Sequence, residues 1–568
     1  MKSSIFATAA ATGLAVLASG ALRTSPAAAD FPNDDKAIVH VLNRVAFGPR
    51  PGDVERVRAM GLQAYIEQQL HPERIADAAM DAKLSGLTTV GLSSREIAEQ
   101  FEQPLIEARR LRQQQGDNGN AANPNPPPQP PMPEPAVQRA NAVLIELGEQ
   151  KMLRAIYSER QLQEVLADFW FNHFNVDARK GRVRFMLTEY EREVIRPHVL
   201  GKFRDLLGAT AQSPAMLFYL DNWLSADPNA ADRDAPRPLF RRDRFGRPVV
   251  VQGLPRRIPQ DGQRNPPRGL NENYGRELME LHTLGVDGGY TQKDVTEVAR
   301  AFTGWTIEQP RQGGDAMFDP RIHDPREKIV LGHKIRAGGG ENDGEQVLDI
   351  LAKHPSTSRF IAMKLARRFV SDAPPPALVD RAAKRFRDTD GDLREVVRTI
   401  LTSPEFLSPD AYRAKVKTPL EFVVGAVRVT GTEVPTGRAL VGAMQQLGMP
   451  LYQCQPPTGY KDTADAWVNT GALVNRMNFA VQLASSTLGR GPGGARQGGQ
   501  GLGGGRGGRG RQSVATNQPP VTGEAISQAV STILAGDVSD TTRATIAKAT
   551  SVPQMTALAL GSPEFQRR

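Results

Sequence analysis

Residues 271–305, NENYGRELMELHTLGVDGGYTQKDVTEVARAFTGW, hold the pattern that decides the fold of this chain. Apolar residues recur there every three or four positions, which is the spacing of one face of an α-helix. Asn271 can cap a first helix, Gly285 can end it in a left-handed conformation, and Thr291 can cap a second helix. The stretch therefore predicts two helices joined by a glycine-rich turn.

The same stretch is dense in ionisable side chains. Glu277 and His282 are candidate catalytic residues, because a carboxylate or an imidazole beside apolar residues can acquire a pKa suited to proton transfer. Five positions separate them, which places them roughly 140° apart around a helix, so the two cannot chelate one ion by themselves. Asn273, Arg276 and Asp287 are candidate binding residues.

Two shorter segments place polar residues beside aromatic ones. The first, DFWFNHFNVD (168–177), supplies His173 as a candidate catalytic residue. A histidine in such aromatic company is, however, more often a hydrogen-bonded core residue than a ligand. The second segment, YLDNW (219–223), supplies Asp221 as a candidate catalytic residue and Asn222 as a candidate binding residue.

Strand patterns are few, and helical spacing dominates the rest of the chain. Ala316–Phe318 and Lys328–Leu331 predict a small hairpin, whose connection holds the candidate binding residues His323 and Asp324. Pro248–Val251 predicts one further short strand. The predicted fold class is mainly α, a multi-helix orthogonal bundle with a small β-hairpin and long disordered insertions.

A repeated motif supports the helical prediction. FRDLLGATAQSPAML (203–217) aligns without gaps with LREVVRTILTSPEFL (393–407), and VPQMTALALGSPEF (552–565) repeats its ending. Each copy is an amphipathic helix that runs into Ser-Pro, where proline disfavours a helical conformation in the preceding residue and serine can cap the next helix. The repeat predicts a helix-to-helix corner and not a ligand site, because no reactive residue recurs in it.

The first 29 residues have the features of a secretory signal peptide. Lys2 gives a positive start, residues 5–22 are apolar or small, and Ala27 to Ala29 suit a signal peptidase. We therefore expect a periplasmic or extracellular protein after cleavage near Ala29, with no transmembrane segment in the mature chain. The single cysteine, Cys454, cannot form an internal disulfide and is expected to be a buried apolar residue.

The net charge of +9 is concentrated in two segments of low complexity. Residues 225–268 hold ten arginines against five acids, and residues 489–512 hold five arginines and no acid. Nucleic-acid binding is not expected, because the chain is predicted to be exported and the second segment has no aromatic residue to stack on bases. The predicted organisation is a signal peptide at 1–29, a helical domain at 30–488 with a Pro-rich insertion at 113–136 and an Arg/Pro-rich insertion at 225–268, a Gly/Arg linker at 489–520, and a C-terminal helical segment at 521–568 that packs on the domain.

From about His40 to Leu488 the chain resembles the bacterial domain-of-unknown-function family 1800. The motifs that carry the resemblance are HVLNRVAFGPRPGDVERV, WFNHF, SPAMLFYLDN, NENYGRELMELHTLGVDGGYTQKDV, the segment with Phe318, His323-Asp324 and Val330-Leu331-Gly332, and PPTGYKDTADAW with Asn475-Arg476. The resemblance implies an exported, largely helical protein, often encoded beside a second exported protein. It implies no catalytic residue, so the candidate residues rest on their chemistry alone.

Two hypotheses of function remain open. The first is a non-catalytic module that binds or assembles with a secreted partner, such as the second exported protein, or with a cell-envelope polymer. The second is a metal-assisted or general acid–base hydrolase of an extracytoplasmic substrate, for which the cofactor is unknown and a divalent metal is one candidate. The first is favoured, because no complete catalytic set is visible in the sequence.

Spatial convergence of the candidates would distinguish the two hypotheses. Side chains of at least two of Glu277, His282, His173 and His323 within about 5 Å in one cleft would favour the enzyme. Scattered positions, each satisfied by backbone groups, would favour the module.

Overall fold

The computed structural model describes residues 33–120, 134–230, 239–242, 248–251, 269–485 and 521–568, and most of them are helical. The α-helices, numbered α1 to α24 in chain order, are Asp35–Val45, Asp53–Met60, Leu62–Gln69, Ala78–Leu84, Ser94–Ile97, Gln103–Asn120, Glu134–Tyr157, Gln161–His173, Leu187–Glu189, Phe203–Ala211, Pro214–Tyr219, Glu272–Met279, Gln292–Ala301, Glu341–Lys353, Pro355–Phe369, Pro376–Asp388, Leu393–Leu401, Pro419–Thr430, Arg438–Gln446, Thr470–Ala484, Gly523–Leu534, Asp540–Ile546, Val552–Gly561 and Pro563–Gln566. Wider π-helical turns occupy Ala98–Glu102, Tyr190–Ile195 and Glu280–Leu284. The prediction of a mainly α fold is confirmed.

The strands of the described chain form three short antiparallel pairs. They are β1 (Leu239–Arg242) with β2 (Pro248–Val251), β3 (Trp305–Ile307) with β4 (Ala316–Phe318), and β5 (Lys328–Val330) with β6 (His333–Ile335). The predicted strand at β2 is confirmed.

The predicted hairpin between β4 and β5 is wrong. Leu331 and Gly332 both have positive φ angles, 50° and 79°, and a two-residue turn of that kind joins β5 to β6, the strand that follows it directly. Strand β4 pairs instead with β3, which the sequence pattern did not separate from the preceding helix. His323 and Asp324 consequently lie between two hairpins and not within one.

The core is organised around α18, which is buried on every side. Its sequence PLEFVVGAVRVT is apolar around most of the helix, and a helix of that composition belongs inside a protein. Thr418 caps it together with Glu421, and Gly431 ends it in the left-handed region. The main hydrophobic cluster of the described residues runs from Ile38 at α1 to Phe565 at α24, so the N-terminal and C-terminal helices share one core.

The C-terminal helices α21 to α24 lie against this core, with α23 packed along α20. Backbone hydrogen bonds join Lys415 to Arg568 and Lys417 to Gln566, and an isolated antiparallel bridge joins Val416 to Arg567. The Arg568 side chain is buried, and its guanidinium lies 2.9 Å from the Glu421 carboxylate. An apolar helix face and a buried ion pair thus hold segment 521–568 against the rest of the protein.

The Ser-Pro motifs form corners in two of the three places where the repeat predicts them. Ser213 caps α11 after α10, and Ser562 caps α24 after α23. At Ser403 the hydroxyl accepts a hydrogen bond from the backbone N–H of Phe406, but the chain forms turns there and not a helix. A second Ser-Pro follows at Ser408, and proline at the next position disfavours the helical conformation that would extend this turn.

The predicted insertions fall largely outside the described residues. The predicted bounds of the Pro-rich insertion at 113–136 are wrong at both ends, since α6 continues to Asn120 and α7 begins at Glu134. No proline lies between Pro104 and Pro124, so nothing breaks α6 over that length. The predicted signal peptide and Gly/Arg linker lie outside the described residues. In the part of the chain that is described, no helix is long and apolar enough to cross a membrane.

Candidate functional site

The stretch 271–305 folds as the two predicted helices, α12 and α13. The Asn271 side chain accepts a hydrogen bond from the Tyr274 N–H, and Thr291 caps α13 in a reciprocal pair with Asp294. The first helix widens into a π-helical turn over Glu280–Leu284 before Gly285, with φ of 82°, ends it. A Cβ on Gly275 would lie 2.8 Å from the Val295 carbonyl oxygen, so this glycine allows the two helices to pack closely.

Two candidate histidines, His173 and His282, meet in the core, with ring centroids 6.4 Å apart. Lys364 Nζ donates to His173 Nδ1 at 2.8 Å, and His173 Nε2 donates to the His282 carbonyl oxygen at 3.1 Å. Burial, together with the nearby charge of Lys364, lowers the pKa of His282 to about 3. Burial also lowers the pKa of His173 well below its ordinary value. Both imidazoles are therefore neutral parts of the core and do not line a cleft.

His323 belongs to a second buried network. Its Nδ1 contacts the Thr303 carbonyl oxygen at 2.7 Å, and its Nε2 contacts Asp343 Oδ2 at 3.1 Å. Lys328, fully buried, donates to the same carboxylate oxygen at 2.6 Å. The network connects the end of α13, strand β5 and helix α14.

Asp324 joins this network through its backbone, because Lys328 Nζ donates to its carbonyl oxygen at 2.6 Å, while arginines hold its carboxylate. Arg326 Nε donates to its carboxylate at 2.9 Å and Arg300 Nε at 2.8 Å. Burial alone would raise the pKa of Asp324, but the hydrogen bonds from these two guanidinium groups hold it well below its ordinary range. Its carboxylate therefore serves to hold the loop between the two hairpins.

The remaining candidates differ in their surroundings. Asn222 is fully buried and its amide donates to the Phe302 and Trp305 carbonyl oxygens, which fixes segment 219–223 to the end of α13. Arg276 donates to Gln292 at 2.5 Å across the two helices, and Asp287 is exposed in the glycine-rich turn. Asp221 has a left-handed backbone with φ of 59°, and its exposed carboxylate accepts from Lys180 Nζ at 2.6 Å.

An open cleft of about 520 Å³ lies where residues 177–180, 219–220, 273 and 455–457 come together. Its lining residues come from loops and helix ends, and they are Asp177, Arg179, Lys180, Tyr219, Leu220, Asn273, Gln455 and Pro457. Of the sequence candidates, Asn273 lies in the lining and Asp221 contacts it through Lys180. The sequence reasoning did not select the others, because nothing in the sequence shows that these loops are adjacent.

Two asparagines hold the loop at residues 452–460 beneath the cleft. Asn172 exchanges two hydrogen bonds of 2.7 Å with the Tyr460 backbone, and the Asn175 amide donates to the carbonyl oxygens of Cys454 and Pro456 at 2.9 Å. Gly459 has φ of 73°, and a Cβ there would lie 2.2 Å from the Asn172 carbonyl oxygen. The motif PPTGY therefore needs its glycine to approach WFNHF.

The charged residues of the cleft are already paired. Arg179 Nε contacts both oxygens of Asp177, at 3.1 and 3.2 Å, and Lys180 is paired with Asp221. The exposed side chain of Asn273 makes no hydrogen bond with any residue that the structure describes. The cleft therefore offers the unpaired Asn273 amide beside charged side chains that neutralise one another.

Glu277 lies one helical turn after Asn273 on α12 and is half-buried. Burial raises the pKa of this carboxylate, and the neighbouring Glu280 raises it further, while Arg276 opposes the change. Glu277 also contributes to the raised pKa of the Tyr219 hydroxyl, for which burial is the main cause. Across the described chain the Glu277 carboxylate makes neither a hydrogen bond nor an ion pair.

Cys454 is buried beside this cleft, and burial raises the pKa of its thiol to about 11. A thiol of that pKa is protonated at neutral pH and is a poor nucleophile. For metals, the described ranges hold no group of three or more His, Cys, Asp and Glu side chains that could bind one ion. The lining of the cleft supplies the Asn273 amide, the Asp177 carboxylate and the Tyr219 phenol.

A family model described as "Protein of unknown function (DUF1800)" matches residues 40–567. The chain belongs to this family. The match extends beyond Leu488, the expected end of the resemblance, and includes helices α21 to α24. No curated protein and no solved structure matches the chain. Four of the motifs that carry the resemblance, WFNHF, SPAMLFYLDN, NENYGRELMELHTLGVDGGYTQKDV and PPTGYKDTADAW, supply or flank the walls and floor of the cleft.

Proposed function

We propose that this protein is an exported binding module whose cleft holds a hydroxyl-rich polymer of the cell envelope. The observation that carries the proposal is the unpaired Asn273 amide in a cleft where the cations are neutralised by their own neighbours. An exposed amide offers two donors and an acceptor, which suit hydroxyl groups.

The paired charges favour a neutral ligand over an anionic one. Arg179 and Lys180 would have to leave Asp177 and Asp221 to bind a phosphate or a carboxylate, whereas a hydroxyl can be added without breaking either pair. The cleft is open and not enclosed, so an extended chain can pass through it. Both features fit a polysaccharide better than a small charged metabolite.

Binding is favoured over catalysis because the candidate histidines do not reach the cleft. His173 and His282 are neutral and held by hydrogen bonding within the core, and His323 is held by Thr303 and Asp343. Buried polar networks of this kind fix how helices and loops pack. This arrangement is the one that the module hypothesis expects.

Export is part of the proposal and rests on the N-terminal leader. The positive start, the apolar stretch and the small residues before Ala29 fit cleavage by a signal peptidase. Mass spectrometry of the protein from a native host should give a mature N-terminus near Asp30 in the periplasm or the medium. An intact N-terminus at Met1 in the cytoplasm would contradict it.

Binding is tested by co-sedimentation of the full chain with purified peptidoglycan, cellulose, chitin and starch. We expect retention by at least one polymer, and Asn273→Ala should weaken it about ten-fold, because one or two hydrogen bonds are lost. Asn342→Ala is the matched control, since Asn342 is likewise the exposed second residue of a helix, α14, outside the cleft lining. Retention by none of the polymers would contradict the proposal and direct attention to a secreted protein as ligand.

Hydrolysis of the same polymer is the second candidate function, and the environment of Glu277 favours it. A half-buried carboxyl group with a raised pKa and no partner can hold a proton for a leaving group. Release of reducing ends from the retained polymer, abolished in Glu277→Gln while binding persists, would support it. Binding with no release of reducing ends from the unsubstituted protein would exclude this candidate.

A further inference from the structure

A second cavity, of about 270 Å³, lies between the N-terminal helices, α18 and the C-terminal segment. It shares no lining residue with the cleft. Apolar side chains form much of its wall, among them Val39, Val429, Ile533 and Phe565. Lys417 also lines it and is only 4% exposed.

The Lys417 ammonium makes no hydrogen bond or ion pair with the described residues. Its Nζ lies 3.8 Å from the centre of the Phe565 ring. The neighbouring Lys415 has the opposite environment, because its Nζ donates to Asp372 Oδ1 at 2.6 Å and to the Asp462 carbonyl oxygen at 2.8 Å. Of these two lysines, Lys417 is the one that presents a nitrogen without a hydrogen bond to the cavity.

Burial and the nearby arginines disfavour the protonated form of Lys417. Its pKa is lowered to about 7. Burial is the main cause, Glu421 opposes the change, and three nearby arginines add to it, namely Arg413, Arg568 and Arg476. A lysine desolvated beside apolar groups and other cations is a recognised form of activated amine. At neutral pH a pKa near 7 leaves roughly half of the molecules with a free electron pair on this nitrogen, against well under 1% for an ordinary lysine.

We propose that Lys417 is a nucleophilic amine and that this cavity accepts a small aldehyde or ketone, which condenses with it. The nitrogen lone pair forms a bond to the carbonyl carbon. The two amine hydrogens pass to the carbonyl oxygen, which leaves as water, and a C=N bond replaces C=O. The cavity has several times the volume of one water molecule, so a carbonyl compound of a few heavy atoms fits.

The test uses the full chain at pH 7 with acetaldehyde and sodium cyanoborohydride, which reduces the imine to a stable ethylated amine. Peptide mass spectrometry then gives the rate of ethylation at each lysine. We expect Lys417 to react at least ten-fold faster than the exposed Lys384 and the paired Lys415. A rate at Lys417 equal to or below that of Lys384 would overturn the proposal.

Two controls show whether the fold creates the reactivity. In guanidinium chloride Lys417 should be ethylated no faster than the other lysines, because the unfolded amine has an ordinary pKa. If Lys417 is still ethylated faster than the other lysines in the unfolded chain, the cavity is not the cause of its reactivity. Lys417→Arg should remove the fast site and leave the rates of the other lysines unchanged, with the melting temperature reported alongside to verify folding. If a fast-reacting site remains in Lys417→Arg, the assignment to Lys417 is wrong.

Discussion

Replacement of Gly459 by alanine should destabilise the loop beneath the cleft far more than a comparable change elsewhere. The new Cβ would lie 2.2 Å from the Asn172 carbonyl oxygen and 2.6 Å from its side-chain oxygen. The loop and the end of α8 would have to separate. The two hydrogen bonds between Asn172 and Tyr460 would lengthen or break.

Gly448→Ala is the matched control. Gly448 has φ of 80°, close to the 73° of Gly459, but an added Cβ there meets no atom within 4 Å. Both variants place alanine in the left-handed region, which costs about 1–2 kcal/mol. Gly459→Ala loses two hydrogen bonds in addition, each worth about 1 kcal/mol, so its loss of stability should be about 2 kcal/mol larger.

Hydrogen–deuterium exchange of the Tyr460 amide measures this local difference. A difference of about 2 kcal/mol in opening free energy corresponds to about thirty-fold faster exchange in Gly459→Ala than in Gly448→Ala. Polymer binding should weaken in Gly459→Ala as well, because the loop carries Gln455 and Pro457. Equal exchange rates in the two variants would refute the close approach of Gly459 to Asn172.

Three further predictions concern charge. Burial lowers the pKa values of His40 and His282 to about 3. Below pH 6.5 these two histidines are therefore protonated in the unfolded chain but stay neutral in the folded chain. The free energy of unfolding should therefore fall as the pH drops from 6.5 toward 3, by about 1.4 kcal/mol per histidine at pH 5.5. In His282→Gln the midpoint of guanidinium unfolding should depend less steeply on pH than in the unsubstituted protein. Glu280→Gln should lower the pKa of Glu277, because a like charge is removed. An unchanged Glu277 pKa in a ¹³C NMR titration would contradict the contribution of Glu280. Glu421→Gln should reduce the free energy of unfolding by about 3–5 kcal/mol, because it leaves buried arginines without their carboxylate, and a loss below about 1 kcal/mol in denaturant titration would argue against a buried ion pair.

Features that depend on neighbouring residues were predictable. The caps at Asn271 and Thr291 and the stop at Gly285 follow from side chains within a few positions of the helix ends. The aromatic surroundings of His173 indicated a hydrogen-bonded core residue, which is how the structure places it. The sequence did not show that His282 would be its partner, because the two lie 109 positions apart.

Two errors have local causes that a closer inspection of the sequence could have found. Leu331 and Gly332 form a two-residue turn, so β5 pairs with the strand that follows it and not with β4. The predicted Pro-rich insertion included residues up to Asn120 that contain no proline and continue α6. In both cases the position of a single residue type, glycine or proline, decided the outcome.

The sequence by itself determined a mainly helical chain, its family and the chemistry of its polar motifs, since helical periodicity and capping act over a few residues. Only the tertiary structure decided which motifs share a cleft and which are buried. The contact between Asn172 and Tyr460 spans 288 positions, and burial of one hydrophobic core brings such segments together. Nothing in their local sequence specifies the distance between them.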